Sequence, residues 1–117
     1  MTTTIENPEH FGLTIEEVAA MQQVFSSFTE VEKVMIYGSR VRGDYKPYSD
    51  IDMTLIGQNI SNHTVTEIDF ALDDLLMPYK IDLSTFDSIT NNNLIAEINE
   101  FGKELYVKGK SAKVLEA

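Results

Sequence analysis

The residues able to do chemistry gather in one stretch, Ile36-Tyr-Gly-Ser-Arg-Val-Arg-Gly-Asp-Tyr-Lys-Pro-Tyr-Ser-Asp-Ile-Asp-Met-Thr-Leu-Ile56. Its chemical ends are Gly38-Ser39 and Asp50-Ile51-Asp52, with ten residues between them. An apolar run from Val31 to Tyr37 that breaks at glycine and serine predicts a strand turning into a helix. The first N–H groups of such a helix have no intrahelical partner and point at an anion. Asp50 and Asp52 open a second apolar run, and the two-residue period of a strand sets both carboxylates on one face. Hard divalent cations take oxygen ligands from carboxylates and phosphates together, so a phosphate cradle beside paired carboxylates suits a magnesium-bound nucleoside triphosphate. Lys33, Arg40, Arg42 and Lys46, four of the nine basic residues, fall within fourteen positions. Such a cluster either neutralises a small anion or forms a solvated basic turn.

The elements that must position these groups can be read in order. Thr14-Ile-Glu-Glu17 fits a capping box, and Val18, Met21, Phe25 and Phe28 behind it recur at helical spacing. A first strand is expected over Lys33–Tyr37, a helical turn over Ser39–Arg42 closed by Gly43, then a loop containing Pro47. Ile51–Ile56 reads as the second strand, with Asp50, Asp52 and Thr54 on one face and Ile51, Met53 and Leu55 on the other. Thr64-Val-Thr-Glu67 repeats the capping-box pattern, predicting a helix with Val65, Ile68, Leu72, Leu75 and Leu76 buried and Pro78 as its stop. Asp69, Asp73 and Asp74 flank that stripe as a solvated face, and His10 and His63 read as solvated loop residues. Lys80–Phe86 is the third expected strand. Asp82 stands on its face opposite Ile81 and Leu83, where a carboxylate needs a metal, a cation or solvent. A strand–helix–strand unit returns the third strand beside the second, where Asp82 could join Asp50 and Asp52. A last helix is expected over 91–101, with Leu94, Ile98, Phe101 and Leu105 in period and Gly102 as its stop, followed by a short extended piece over Glu104–Lys108.

The 117 residues fit a single domain over 13–108, between an irregular arm (1–12) and a frayed tail (109–117). No cysteine is present, no apolar run approaches membrane-spanning length, and the N-terminus lacks the build of a signal peptide, so a cytoplasmic location is expected. A net charge of −10 disfavours general nucleic-acid binding, which draws on cations meeting phosphates.

Gly38-Ser39, ten residues, Asp50-Ile51-Asp52 and a later Ile81-Asp82-Leu83 together resemble the polymerase-beta-type nucleotidyltransferases. The fuller string from Gly38 through Gly43 to Ser49-Asp50-Ile51-Asp52 is similar to the minimal nucleotidyltransferase branch, over essentially Val31 to Leu83. The resemblance implies an α+β fold, a mixed β-sheet with helices packed against it. It implies two Mg²⁺ ions held by Asp50, Asp52 and Asp82, and ATP as substrate. Gly38 and Ser39 would hold the triphosphate, and Arg40 and Arg42 would neutralise it or orient the acceptor, Arg40 first among the cations; Ser49 would cap the turn into the second strand, Tyr48 would only pack, and Asp44 would be a loop residue. It further implies a separate, small all-helical protein of the HEPN type as partner, a ribonuclease toxin silenced when an adenylyl group is placed on its tyrosine. A homodimer stays open. So do two other readings: an antitoxin that neutralises by occluding its partner, and a small-molecule adenylyltransferase of the aminoglycoside-modifying kind.

Overall fold

Thr14 starts the first helix as its sequence predicts: its hydroxyl accepts from the Glu17 N–H while the Glu17 carboxylate accepts from the Thr14 N–H, each at 3.0 Å. The computed structural model describes residues 10–109. The expected arm therefore lies largely, and the expected tail almost wholly, outside the described residues. Helix α1 (Ile15–Ser26) turns Val18, Met21 and Phe25 inward. Strand β1 (Lys33–Tyr37), the four-residue helix α2 (Ser39–Arg42) and strand β2 (Ile51–Ile56) follow with the predicted bounds. Helix α3 (Asn62–Asp73), strand β3 (Ile81–Thr85), a 3-10 turn (Phe86–Ser88), helix α4 (Asn92–Phe101) and strand β4 (Lys103–Val107) complete the chain.

The sheet is mixed, in the order β3-β2-β1-β4. β1 pairs antiparallel with β2 and β4, and β2 pairs parallel with β3 across the α3 crossover. One face of the sheet, with Val34, Ile36, Ile51, Met53 and Leu55, is sealed against Leu13, Val18, Met21 and Phe25 of the α1 region and Ile68 and Leu72 of α3. The other face carries Met35, Tyr37, Asp52, Thr54, Asp82 and Ser84, and α4 packs over it, through Ile98 and the close approach of Met35 to Gly102. The apolar core thus fixes the sheet from behind and leaves its polar face partly open.

Helix α3 and strand β4 differ from the sequence reading. Helix α3 is capped by Ser61, whose hydroxyl accepts from the Thr64 N–H at 3.1 Å; Thr64 lies inside the helix and donates to Glu30 Oε2 at 3.0 Å. The helix also ends at Asp73, before Pro78, and Leu76 at positive φ is 87% exposed rather than buried. The extended piece near the C-terminus is a complete edge strand, which makes β1 an interior strand. A register shift opposite Val34 and Met35 turns both Leu105 and Tyr106 to the core, a local exception to strand alternation. Tyr106 packs on Phe25 with ring centroids 5.8 Å apart.

Candidate active site

The site stands where β1 ends. Gly38 takes φ 83° and ψ −151°, a conformation costly for any residue with a Cβ, and begins α2 with no side-chain cap on its N–H groups. The Gly38 carbonyl accepts from the Val41 and Arg42 N–H groups at 3.1 and 3.0 Å, and Gly43, in the left-handed region, closes the turn by donating to the Ser39 carbonyl at 2.8 Å. A methyl group on Gly38 would overlap Asp52 Oδ2. Glycine therefore serves twice: it allows the turn and leaves room for the carboxylate beside it.

Register aligns the rest. Tyr37 is opposite Asp52 across β1 and β2, and Asp52 is opposite Asp82 across β2 and β3. Directly paired residues share a face, so Tyr37, Asp52 and Asp82 form a row over three strands. Asp50, exposed just before β2, lies at the lip of a cleft of about 440 Å³ lined by Ser39, Asp52, Leu94, Glu97 and their neighbours. Asp82 stands one strand away from that lining, and its charge reaches Asp52. Below the row, the Ser84 hydroxyl donates to Thr54 Oγ1 at 3.1 Å and also meets the Tyr37 phenol, tying three strands together under the carboxylates.

Electrostatics mark Asp52. Burial raises its pKa above the usual carboxylate range, the Asp82 and Asp50 charges raise it further, and Arg42 partly offsets them. Burial also raises the Tyr37 phenol, joined by the charges of Asp52, Asp82 and Glu97. The donors are all oxygen and their charges are under-compensated, the chemistry that suits a hard divalent cation. Among the described residues, no group of three or more His, Cys, Asp or Glu side chains is arranged, as it stands, to hold a metal ion.

The expected cation cluster disperses. Arg42 lines the cleft, with Nη1 donating to Glu97 Oε2 at 3.3 Å and Nε to Asp44 Oδ2 at 3.5 Å. Arg40, placed first among the cations by the sequence reading, is not brought to the cleft: it is 2% exposed. Its Nη1 donates to the Phe11 carbonyl at 2.9 Å, its Nη2 and Nε to the Ser49 carbonyl at 2.9 and 3.3 Å, and its Nη2 to the Pro47 carbonyl at 3.4 Å. The Tyr45 and Tyr79 rings cover the guanidinium at 5.0 and 4.7 Å from their centroids. Arg40 thus ties the loop that leads into Asp50 to Phe11. Lys33 pairs with Glu104 at 3.3 Å, at the end of β1 away from Gly38. Ser49 accepts from the Lys46 N–H at 2.7 Å within its own turn, Tyr48 is 75% exposed instead of packed, and His63 sits on α3 paired with Glu67 at 3.2 Å.

Sequence reasoning missed Tyr37, Leu94 and Glu97 as cleft residues. The strand period of two already set Tyr37 on the face of the residue paired with it, but nothing in the α4 sequence distinguished Glu97 from a solvated glutamate.

Among curated proteins, none matches this chain by sequence. Solved structures share its fold. A chain of a toxin–antitoxin structure with AMP-PNP superposes with a TM-score of 0.62 at 18% identity, covering 87% of this chain and 80% of its own. A putative nucleotidyltransferase from Sulfolobus solfataricus gives 0.56 at 20% identity, covering 95% and 96%. A structure of a tri-AMPylated Shewanella oneidensis HEPN toxin in complex with its MNT antitoxin gives 0.60 at 17% identity, covering 80% and 71%. The family profile described as polymerase beta, nucleotidyltransferase matches residues 20–111, a span that runs from within α1 to beyond β4 and takes in the Gly38 turn and the whole carboxylate row. The chain belongs to the polymerase beta nucleotidyltransferase family.

Proposed function

We propose that this chain is a Mg²⁺-dependent adenylyltransferase that moves AMP from ATP to a hydroxyl, a tyrosine of a small all-helical HEPN-type toxin in the cytoplasm, and thereby silences it. The observation that carries this reading is the placement of Asp52 between Tyr37 and Asp82 and against Gly38, which faces a carboxylate row toward a helix start. Asp50, Asp52 and Asp82 would hold the metal, which supplies charge for the triphosphate and the departing pyrophosphate. Ser39 offers a hydroxyl and an N–H to a terminal phosphate, and Arg42 exchanges its contact with Glu97 for a phosphate oxygen. The acceptor oxygen attacks the α-phosphorus in line; its bond forms as the bond to the β-phosphate bridging oxygen breaks, and the acceptor proton passes to a carboxylate or to solvent. The toxin–antitoxin neighbours support the choice of acceptor.

One observation favours a second reading, an antitoxin that works by occlusion: the three carboxylates are not gathered as they stand to hold a metal ion. Intact mass spectrometry separates the two. The chain is incubated with ATP, Mg²⁺ and the protein encoded by the adjoining gene. The expected result is acceptor carrying one or more adenylyl groups, mapped to tyrosine, and none with Asp50→Asn or Asp52→Asn. Neutralisation by both variants with no mass change would establish occlusion instead.

A further inference from the structure

Helix α4 has two working faces. Leu94 and Ile98 turn toward the sheet, whereas Asn93, Ala96, Glu97, Glu100 and Phe101 recur at the three- and four-residue spacing of a second stripe. That stripe and Val41 and Arg42 of α2 bound an open groove of about 730 Å³, roomy enough for several groups of a docked partner. Phe101 stands 55% exposed at its end. Arg42 and Glu97, paired with each other, line this groove and the cleft alike, so the two adjoin. Phe101 lies about 6 Å along the helix from Glu97.

From this we infer that the α2–α4 groove is where the acceptor protein docks, taking an apolar anchor side chain of that protein between Val41, Ala96 and Phe101 while basic residues around the anchor meet the acidic rim. The inference rests on the reading of this chain as a transferase acting on a protein. Three features commit the groove to that occupant. An acceptor hydroxyl must come within about 3–3.5 Å of the α-phosphorus, so the protein bearing it must cover the surface beside the cleft. The rim is acidic: Glu97, Glu100 and the Asp44 that pairs with Arg42 outnumber that arginine. A second copy of this chain, with its own net charge of −10, would meet that rim with like charge.

The test measures binding of the adjoining gene's protein by calorimetry at low and high salt, and scores AMP transfer in the same samples. Phe101→Asp places a charge in the groove and Ala96→Arg fills it; both positions are exposed on α4, so the fold is kept. Phe70→Asp, on exposed α3 across the sheet, is the control. The groove variants should each weaken binding by about tenfold or more, the control should match the wild type, and salt should weaken the wild-type complex. Their KM for ATP should be unchanged. Groove variants that bind as the wild type does, or a wild type that binds no partner, would overturn the inference. A wild type that binds through the groove without transferring AMP would refute the transferase reading while the docking site stands.

Discussion

Replacing Arg40 by lysine separates a buried brace from a phosphate ligand. Arginine spans the Phe11 carbonyl on one side and the Ser49 and Pro47 carbonyls on the other, between two tyrosine rings. Lysine keeps the charge, but its compact ammonium meets one side of that span and does not stack. Loss of one charge-assisted bond to a part-buried carbonyl costs about 1.5–3 kcal/mol, and part of a desolvated cation–π contact, about 2 kcal/mol in full, goes with it. The sum, about 2–4 kcal/mol, is a large share of the about 5–15 kcal/mol that holds a typical domain. For a domain of this size it should lower the melting temperature by about 8–16 °C. Thermal unfolding followed by circular dichroism reads that fall. Below the transition, Arg40→Lys should keep the KM for ATP within about threefold of wild type, since the guanidinium is not a cleft residue. A melting temperature within about 2 °C of wild type together with a KM raised about tenfold would instead make Arg40 a ligand of the triphosphate.

Other substitutions probe the cleft. Gly38→Ala imposes a backbone conformation open almost only to glycine and pushes on Asp52, so it should cost about 1–3 kcal/mol by denaturant titration and reduce transfer more steeply than stability. Arg42→Ala should raise the KM for ATP by about tenfold, with little change in the melting temperature because its ion pairs are solvent-facing. Asp52→Asn should abolish transfer and also alter the pH dependence of stability. Because the folded-state pKa of Asp52 is raised, the folded wild type binds this proton more tightly than the unfolded chain does. Without divalent cation, that contribution is therefore lost as pH rises from the ordinary carboxylate range through the raised value. Asp52→Asn should gain on the wild type across that window, and Mg²⁺ should stabilise the wild type but not the variant; equal responses of the two proteins to pH and Mg²⁺ would count against a cation site at Asp52.

Much of this was legible in the chain because local chemistry and tertiary need agree. The Thr14 box, the Gly38 break and the alternation through Ile51–Ile56 each specify an element by a short-range rule, and the parallel return of β3 beside β2 follows from its helical crossover. What escaped depended on long-range packing. Ser61 outcompeted Thr64 as a cap because Thr64 is drawn to Glu30, thirty-four positions away. The β4 strand carries a bulge that hides its period, so Leu105 and Tyr106 mimic no simple pattern. Arg40 and Arg42 look alike two residues apart, yet successive residues of a helical turn point in different directions, one into the Phe11–Tyr45–Tyr79 enclosure and one into the cleft.

Nucleotidyl transfer is read by ATP carrying its label on the α-phosphate, run beside ATP labelled on the γ-phosphate, with Mg²⁺ and the adjoining gene's protein. Label from the α-position alone should appear on the acceptor, with one pyrophosphate released per group transferred, and Asp50→Asn and Asp52→Asn should each reduce it to background. Label arriving from the γ-phosphate, or α-label persisting when both aspartates are replaced, would contradict the assignment of the carboxylate row as a nucleotidyl-transfer site.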